Sequence, residues 1–125
     1  MTRRFFAGIA TSLALLASLL PVWADELHIV EISLVDGVAH GEGLSAPAGG
    51  APTLVLAEGD SVDLRWTSDR DMVLHFHGYD LEARVGPERD ATMVFEARAA
   101  GRFPVETHDA DGRHRAVLYI EIYPK

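Results

Sequence analysis

The sequence contains no cysteine, so the protein has neither a disulfide bond nor a thiolate ligand for a metal. Basic residues are also few: 11 lysines and arginines stand against 19 aspartates and glutamates, which gives a net charge of −8 at pH 7. An acidic surface repels phosphate backbones and anionic lipid headgroups. The composition therefore argues against binding to nucleic acids or to a membrane surface, and it is compatible with cations.

The sequence also lacks the signatures of common enzymes. It has no Ser-His-Asp set, no activated thiol and no phosphate-binding loop. We therefore predict that the protein is not an enzyme. A three-histidine copper or zinc site with an open coordination position would formally allow a reaction, and this interpretation ranks last.

The long apolar run of the chain lies near its beginning. Two arginines precede the apolar residues 5–20, and Ala24 precedes a pair of acidic residues. This order is typical of a cleavable signal peptide. We predict a signal peptide over residues 1–24, cleaved after Ala24, and one periplasmic domain over residues 25–125 that has no membrane segment after cleavage. A retained anchor is the less favoured alternative.

The export route stays open. Arg3 and Arg4 with the following phenylalanines fit the core of a twin-arginine signal, but the leucine and lysine that usually follow are missing. The general export pathway is an equal alternative.

After the apolar run, no segment has the period of an amphipathic helix. Short stretches rich in β-branched and aromatic residues recur instead, and turns containing glycine, proline or aspartate separate them. We predict an all-β fold, an antiparallel Greek-key β-sandwich of seven to eight strands. The predicted strands cover residues 27–35, 53–57, 61–67, 72–77, 81–85, 91–97, 103–107 and 116–123.

Two details of this prediction concern the connections. Residues 38–52 are rich in glycine and proline, which indicates an irregular connection that has room for a short edge strand. Residues 53–57 and 61–67 flank a Glu-Gly-Asp turn, which predicts a hairpin. In its second strand, alternation predicts that Val62, Leu64 and Trp66 face inward.

The stretch 72–77 carries the candidate site. Large apolar side chains alternate there with His75 and His77, so one face is apolar and the other presents both imidazoles. A sandwich could bring His108 beside them. Three imidazoles suit Cu(II) or Zn(II), and we therefore predict a metal site formed by His75, His77 and His108.

Other polar residues near His108 are further candidates. Glu106 or Asp109 would supply an oxygen ligand or orient an imidazole. His114 is a weaker candidate because Arg113 and Arg115 flank it and disfavour a nearby cation.

Simpler structural roles compete with the metal site. His75 and His77 could instead form hydrogen bonds with neighbouring strands and bind no ion. By its parity Met72 belongs to the core. Tyr79 is typical of a residue that closes a corner of the core.

The order of these motifs resembles that of the cupredoxins over nearly all of residues 25–125. Within that superfamily the chain is most similar to a bacterial group of exported cupredoxin-like proteins, in which a His-x-His-Gly-Tyr-Asp stretch recurs. The motifs that carry the resemblance are the turn Glu58-Gly59-Asp60 before a Val-x-Leu strand, the stretch His75-Phe76-His77-Gly78-Tyr79-Asp80, the turn Gly86-Pro87, the sequence Gly101-Arg102-Phe103, and a histidine loop before an apolar last strand.

The resemblance implies the fold and a comparison with blue copper sites. By that analogy His75 or His77 matches the first histidine ligand, and Thr107 or His108 falls where the cysteine would lie. His108 or His114 matches the second histidine. Without a thiolate, the protein has no blue copper centre and little basis for fast electron transfer.

Two functions follow as expectations. The first is a periplasmic metal-binding protein, with copper as the expected ion, that sequesters or delivers the ion. The alternative is a metal-free sandwich that serves as an interaction module for an exported protein partner.

Overall fold

The computed structural model describes residues 27–45, 49–108 and 112–125. The predicted signal peptide, its cleavage after Ala24 and the candidate ligand Asp109 lie outside these residues. Within the described ranges, no helix has the length and apolar character that crossing a membrane requires.

The described chain forms nine β-strands in two sheets. The four-stranded sheet has the order β2-β1-β4-β7, and the five-stranded sheet has the order β3-β9-β8-β5-β6. This arrangement confirms the predicted all-β sandwich, with nine strands instead of seven or eight. The strands are β1 (Leu27–Val35), β2 (Val38–His40), β3 (Thr53–Ala57), β4 (Ser61–Ser68), β5 (Met72–Phe76), β6 (Leu81–Val85), β7 (Ala91–Glu96), β8 (Gly101–His108) and β9 (His114–Tyr123).

The predicted hairpin of β3 and β4 is wrong, because the two strands lie in different sheets. β3 pairs in parallel with β9, and β4 pairs in parallel with β1 and antiparallel with β7. The turn between them bonds to both sheets: Glu58 N donates to Tyr123 O and Gly59 N donates to Ala97 O, both at 2.9 Å. Because β3 with β9 and β1 with β4 are parallel pairs, the sandwich is mixed, and not purely antiparallel as predicted.

The core lies between the two sheets. Val62, Leu64 and Trp66 of β4 are all 0% exposed, as their alternation predicts. The inward positions of β5 are also buried, and each large apolar side chain removed from water contributes about 1.5–3 kcal/mol. These inward positions fix the opposite face of β5 as the outer face of the sandwich.

A tight turn after β5 closes one corner of this core. The Tyr79 ring stacks on Phe76 at 4.6 Å between ring centroids, and its hydroxyl accepts a hydrogen bond of 3.1 Å from the backbone N of Arg98. Gly78 has a φ of +89°, and a Cβ at this position would lie 2.6 Å from the Phe103 ring. Glycine is therefore required at the position that follows His77.

Candidate metal centre

The outer face of the five-stranded sheet collects histidines and glutamates from four adjacent strands. On β5, His75 lies opposite Glu82 of β6 and opposite Glu106 of β8. His108 at the end of β8 lies opposite His114 at the start of β9. Four of the six histidines of the sequence lie here, and we call this surface the histidine face: His75, His77, Glu82, Glu106, His108 and His114.

The tightest group on the histidine face is His77, Glu106 and His114. One Glu106 oxygen, Oε2, lies 2.9 Å from His77 Nε2 and 3.3 Å from His114 Nδ1. One ligand atom from each of the three residues lies within 4.8 Å of the others. Glu106 is the most covered of them, with a side chain 23% exposed against 48% for His77 and 53% for His114.

Local backbone geometry explains how these three side chains meet. His77 N donates to Pro104 O at 3.1 Å, which extends the β5–β8 pairing beyond the last residue of β5. On the other side of β8, the register shifts between Val105 and Glu106, where Val105 pairs with Leu118 and Glu106 pairs with Ala116. The extra residue of this bulge is Val117 of β9, which has no partner on β8. A bulge of this kind re-aims side chains, and here it lies between His114 and the rest of β9.

The remaining imidazoles form a row beside this group. The ring centroids of His75 and His108 are 4.7 Å apart, and those of His108 and His114 are 4.0 Å apart. The His75 and His77 centroids are 6.4 Å apart. His75 Nδ1 also lies 3.6 Å from Glu82 Oε2.

The predicted ligands therefore share one face but do not surround one point. His77 joins Glu106 and His114, whereas His75 lies beside His108. The sequence argument ranked His114 below His108 because two arginines flank it. In a strand, however, adjacent side chains point to opposite faces. The residue that follows His114 in β9, Arg115, points away from it and donates a hydrogen bond to Gly37 O at 3.1 Å. The feature that brings His114 close to Glu106 is the pairing of β8 with β9.

The other two histidines lie elsewhere. His28 of β1 places its Nε2 3.1 Å from an Asp60 oxygen, and His40 is exposed on β2. Both belong to the four-stranded sheet. In the same sheet, Asp63 accepts hydrogen bonds from the Arg65 guanidinium, which raises the pKa of Arg65.

The donor atoms on the histidine face are nitrogen and oxygen only. Met72 and Met93 are 9% and 2% exposed in the core, so neither sulfur is on this surface. Imidazole with carboxylate suits Cu(II) and Zn(II), whereas sulfur ligands favour Cu(I). Among the described residues, the histidine face is therefore a candidate site for a divalent ion.

Comparisons with known proteins agree on the fold. No protein-family model matches the chain, and no curated protein matches its sequence. Among solved structures, a heme-copper terminal oxidase dimer matches at 17% identity with a TM-score of 0.60, over 83% of this chain and 69% of that one.

Two smaller structures match most of their own length. The periplasmic domain of subunit II of cytochrome oxidase from Bradyrhizobium japonicum matches at 11% identity and a TM-score of 0.57, over 78% of this chain and 84% of that one. A copper binding protein in its apo form matches at 10% identity and a TM-score of 0.55, over 80% of this chain and 91% of that one.

Larger copper enzymes also match, but the chain spans less than half the length of the multicopper oxidases and the copper nitrite reductase among them. At these identities the likeness concerns the fold. Two packed sheets, nine strands and these structural matches together show that the protein has a cupredoxin-like fold.

Proposed function

We propose that this protein binds a copper ion on the histidine face and sequesters or delivers it in the periplasm. The observation that carries the proposal is the group His77, Glu106 and His114, whose ligand atoms lie within 4.8 Å of one another. Two imidazoles and one carboxylate make a ligand set that Cu(II) favours. Without a thiolate, this is not a blue-copper electron carrier.

The exposure of the group supports transfer of the ion. His77 and His114 are each about half exposed, so water or a partner's side chain can complete the coordination. A structural metal site is normally closed by four protein ligands. Three ligands at an open surface suit an ion that is taken up and released.

The structural neighbours support copper as the ion. They include a copper binding protein and a domain of cytochrome oxidase, and the latter is described as periplasmic. The apolar and basic N-terminal sequence supports the same compartment for this chain.

A second candidate function is a metal-free interaction module for an exported partner. Ile29 and Val94 are 54% and 68% exposed, and both lie opposite Asp63 of β4 in the four-stranded sheet. An exported partner that contacts this sheet would cover these apolar side chains.

Thermal melts with and without metals test the proposal. We expect Cu(II) at about a hundred times its dissociation constant to add about 2.7 kcal/mol, which raises the midpoint by about ten degrees or more. Cu(I) under reductant and Zn(II) are compared in parallel. His77→Ala should strongly reduce the copper shift, because it deletes one of the three ligands of the tightest group.

The matched control is His40→Ala, which removes an exposed histidine outside the histidine face. It should keep the full copper shift. A wild-type protein that shows no shift with any metal would contradict the proposal and favour the interaction module.

A further inference from the structure

We propose that the histidine face holds a second cation, bound by His75 and His108 with Glu82. This position lies beside the one formed by His77, Glu106 and His114. The inference rests on the proposed function, since both positions belong to the same metal-binding face.

The spacing of the rings defines the second position. Two imidazoles that each place a nitrogen about 2.0–2.1 Å from one ion have ring centres about 6.5 Å apart when they lie on opposite sides of it, and closer at any smaller angle. The His75 and His108 centroids, 4.7 Å apart and tilted by 47°, are well within this limit. The His75 and His77 centroids, 6.4 Å apart, reach it only if both nitrogens point straight at each other through the ion. His75 therefore groups with His108 and not with its sequence neighbour.

Glu82 supplies the negative charge of the second position. It lies opposite His75 in the β5–β6 pairing, and its Oε2 is 3.6 Å from His75 Nδ1. At this position the carboxylate can orient the imidazole through Nδ1 and leave Nε2 for the ion. Arg84 Nη2 contacts the other oxygen, Oε1, at 3.4 Å, so Oε2 stays directed to His75.

The two positions are adjacent and each has its own carboxylate. The His108 ring lies 4.0 Å from the His114 ring, which joins the two ligand sets. Two divalent ions repel each other, and Glu82 and Glu106 offset part of this repulsion. We therefore expect the second ion to bind at least tenfold more weakly than the first. An ion can therefore move from the tighter position to the weaker one before it is released.

The test is a Cu(II) titration of the full-length protein, followed by calorimetry and native mass spectrometry. We expect two equivalents per chain, with the second at least tenfold weaker. Two neighbouring Cu(II) ions should also broaden each other's electron paramagnetic resonance signal as the second equivalent is added.

Four variants separate the two positions. His75→Gln and Glu82→Gln should remove or weaken the second equivalent and leave the affinity of the first within about twofold. His114→Gln should weaken the tight equivalent. His40→Gln is the matched control and should retain both equivalents. Circular dichroism of each variant checks that the sandwich is folded.

Three results would be decisive against the inference. One wild-type equivalent that His75→Gln leaves unchanged overturns the second position and leaves the proposed function standing. One equivalent that both His75→Gln and His114→Gln abolish indicates a single shared site and also overturns it. No binding by the folded wild-type protein overturns the proposed function together with the inference.

Discussion

The two faces of β5 differ in what they contribute to the molecule. Leu74 and Phe76 on the inner face are 0% and 1% exposed and belong to the core between the sheets. On the outer face, the His75 side chain is 32% exposed and contacts another histidine and a glutamate. Alternate side chains of this short strand thus belong to the core and to the candidate metal site. Substitutions on the two faces should therefore have separable effects on stability and on metal binding.

The largest effect should come from the inner face. Leu74→Ala leaves a cavity between the sheets, and we expect it to lower the free energy of unfolding by about 2–5 kcal/mol. Urea denaturation of the metal-free protein measures this loss. A loss below about 1 kcal/mol would contradict the assignment of Leu74 to the centre of the core.

Gly78→Ala changes the tight turn that follows β5. Its positive φ and the 2.6 Å approach to Phe103 predict a cost of about 1–3 kcal/mol in the same denaturation assay. Because Gly78 follows His77 directly, copper affinity should fall as well. A variant with unchanged stability and unchanged affinity would show that this turn can relax freely.

Tyr79→Phe tests the polar contact of the corner without changing its packing. The hydroxyl accepts a hydrogen bond from Arg98 N, so its removal should cost about 0.5–1.5 kcal/mol. Copper binding should not change, since Tyr79 is not on the histidine face. A change in copper affinity would instead connect the corner to the metal position.

The smallest effect on stability should come from the outer face. His77→Ala should change the unfolding free energy of the metal-free protein by about 0.5 kcal/mol or less, because its side chain is 48% exposed. A loss of several kcal/mol would show that the two faces of β5 are not separable.

The direction of side chains could be predicted from the sequence, but the pairing of strands could not. Alternation identified both faces of β5 and the buried side of β4, because side-chain direction in a strand is a local property. It could not place β3, since an apolar face packs equally well in either sheet of a sandwich. The partner of β3 is decided by contacts with β9, which lies more than sixty residues away in the chain.

The candidate site shows the same limit. His75 and His77 could be found because they lie two residues apart in a stretch whose alternation predicts one strand, although β5 ends at Phe76, just before His77. The pairing of Glu106 with both His77 and His114 depends on the register between three strands and on a bulge at Val117 of β9. Register across strands is a property of the folded sheet, so the sequence alone does not place His114 beside Glu106.

The position of β9 has a consequence for when the protein can acquire metal. β9 follows the other eight described strands in sequence, yet it lies inside the five-stranded sheet between β3 and β8. The sheet, and with it the group containing His114, can therefore assemble only after β9 has been made. In the proposed function, metal capture then follows folding, and the ions present where folding finishes are the first that the histidine face can meet.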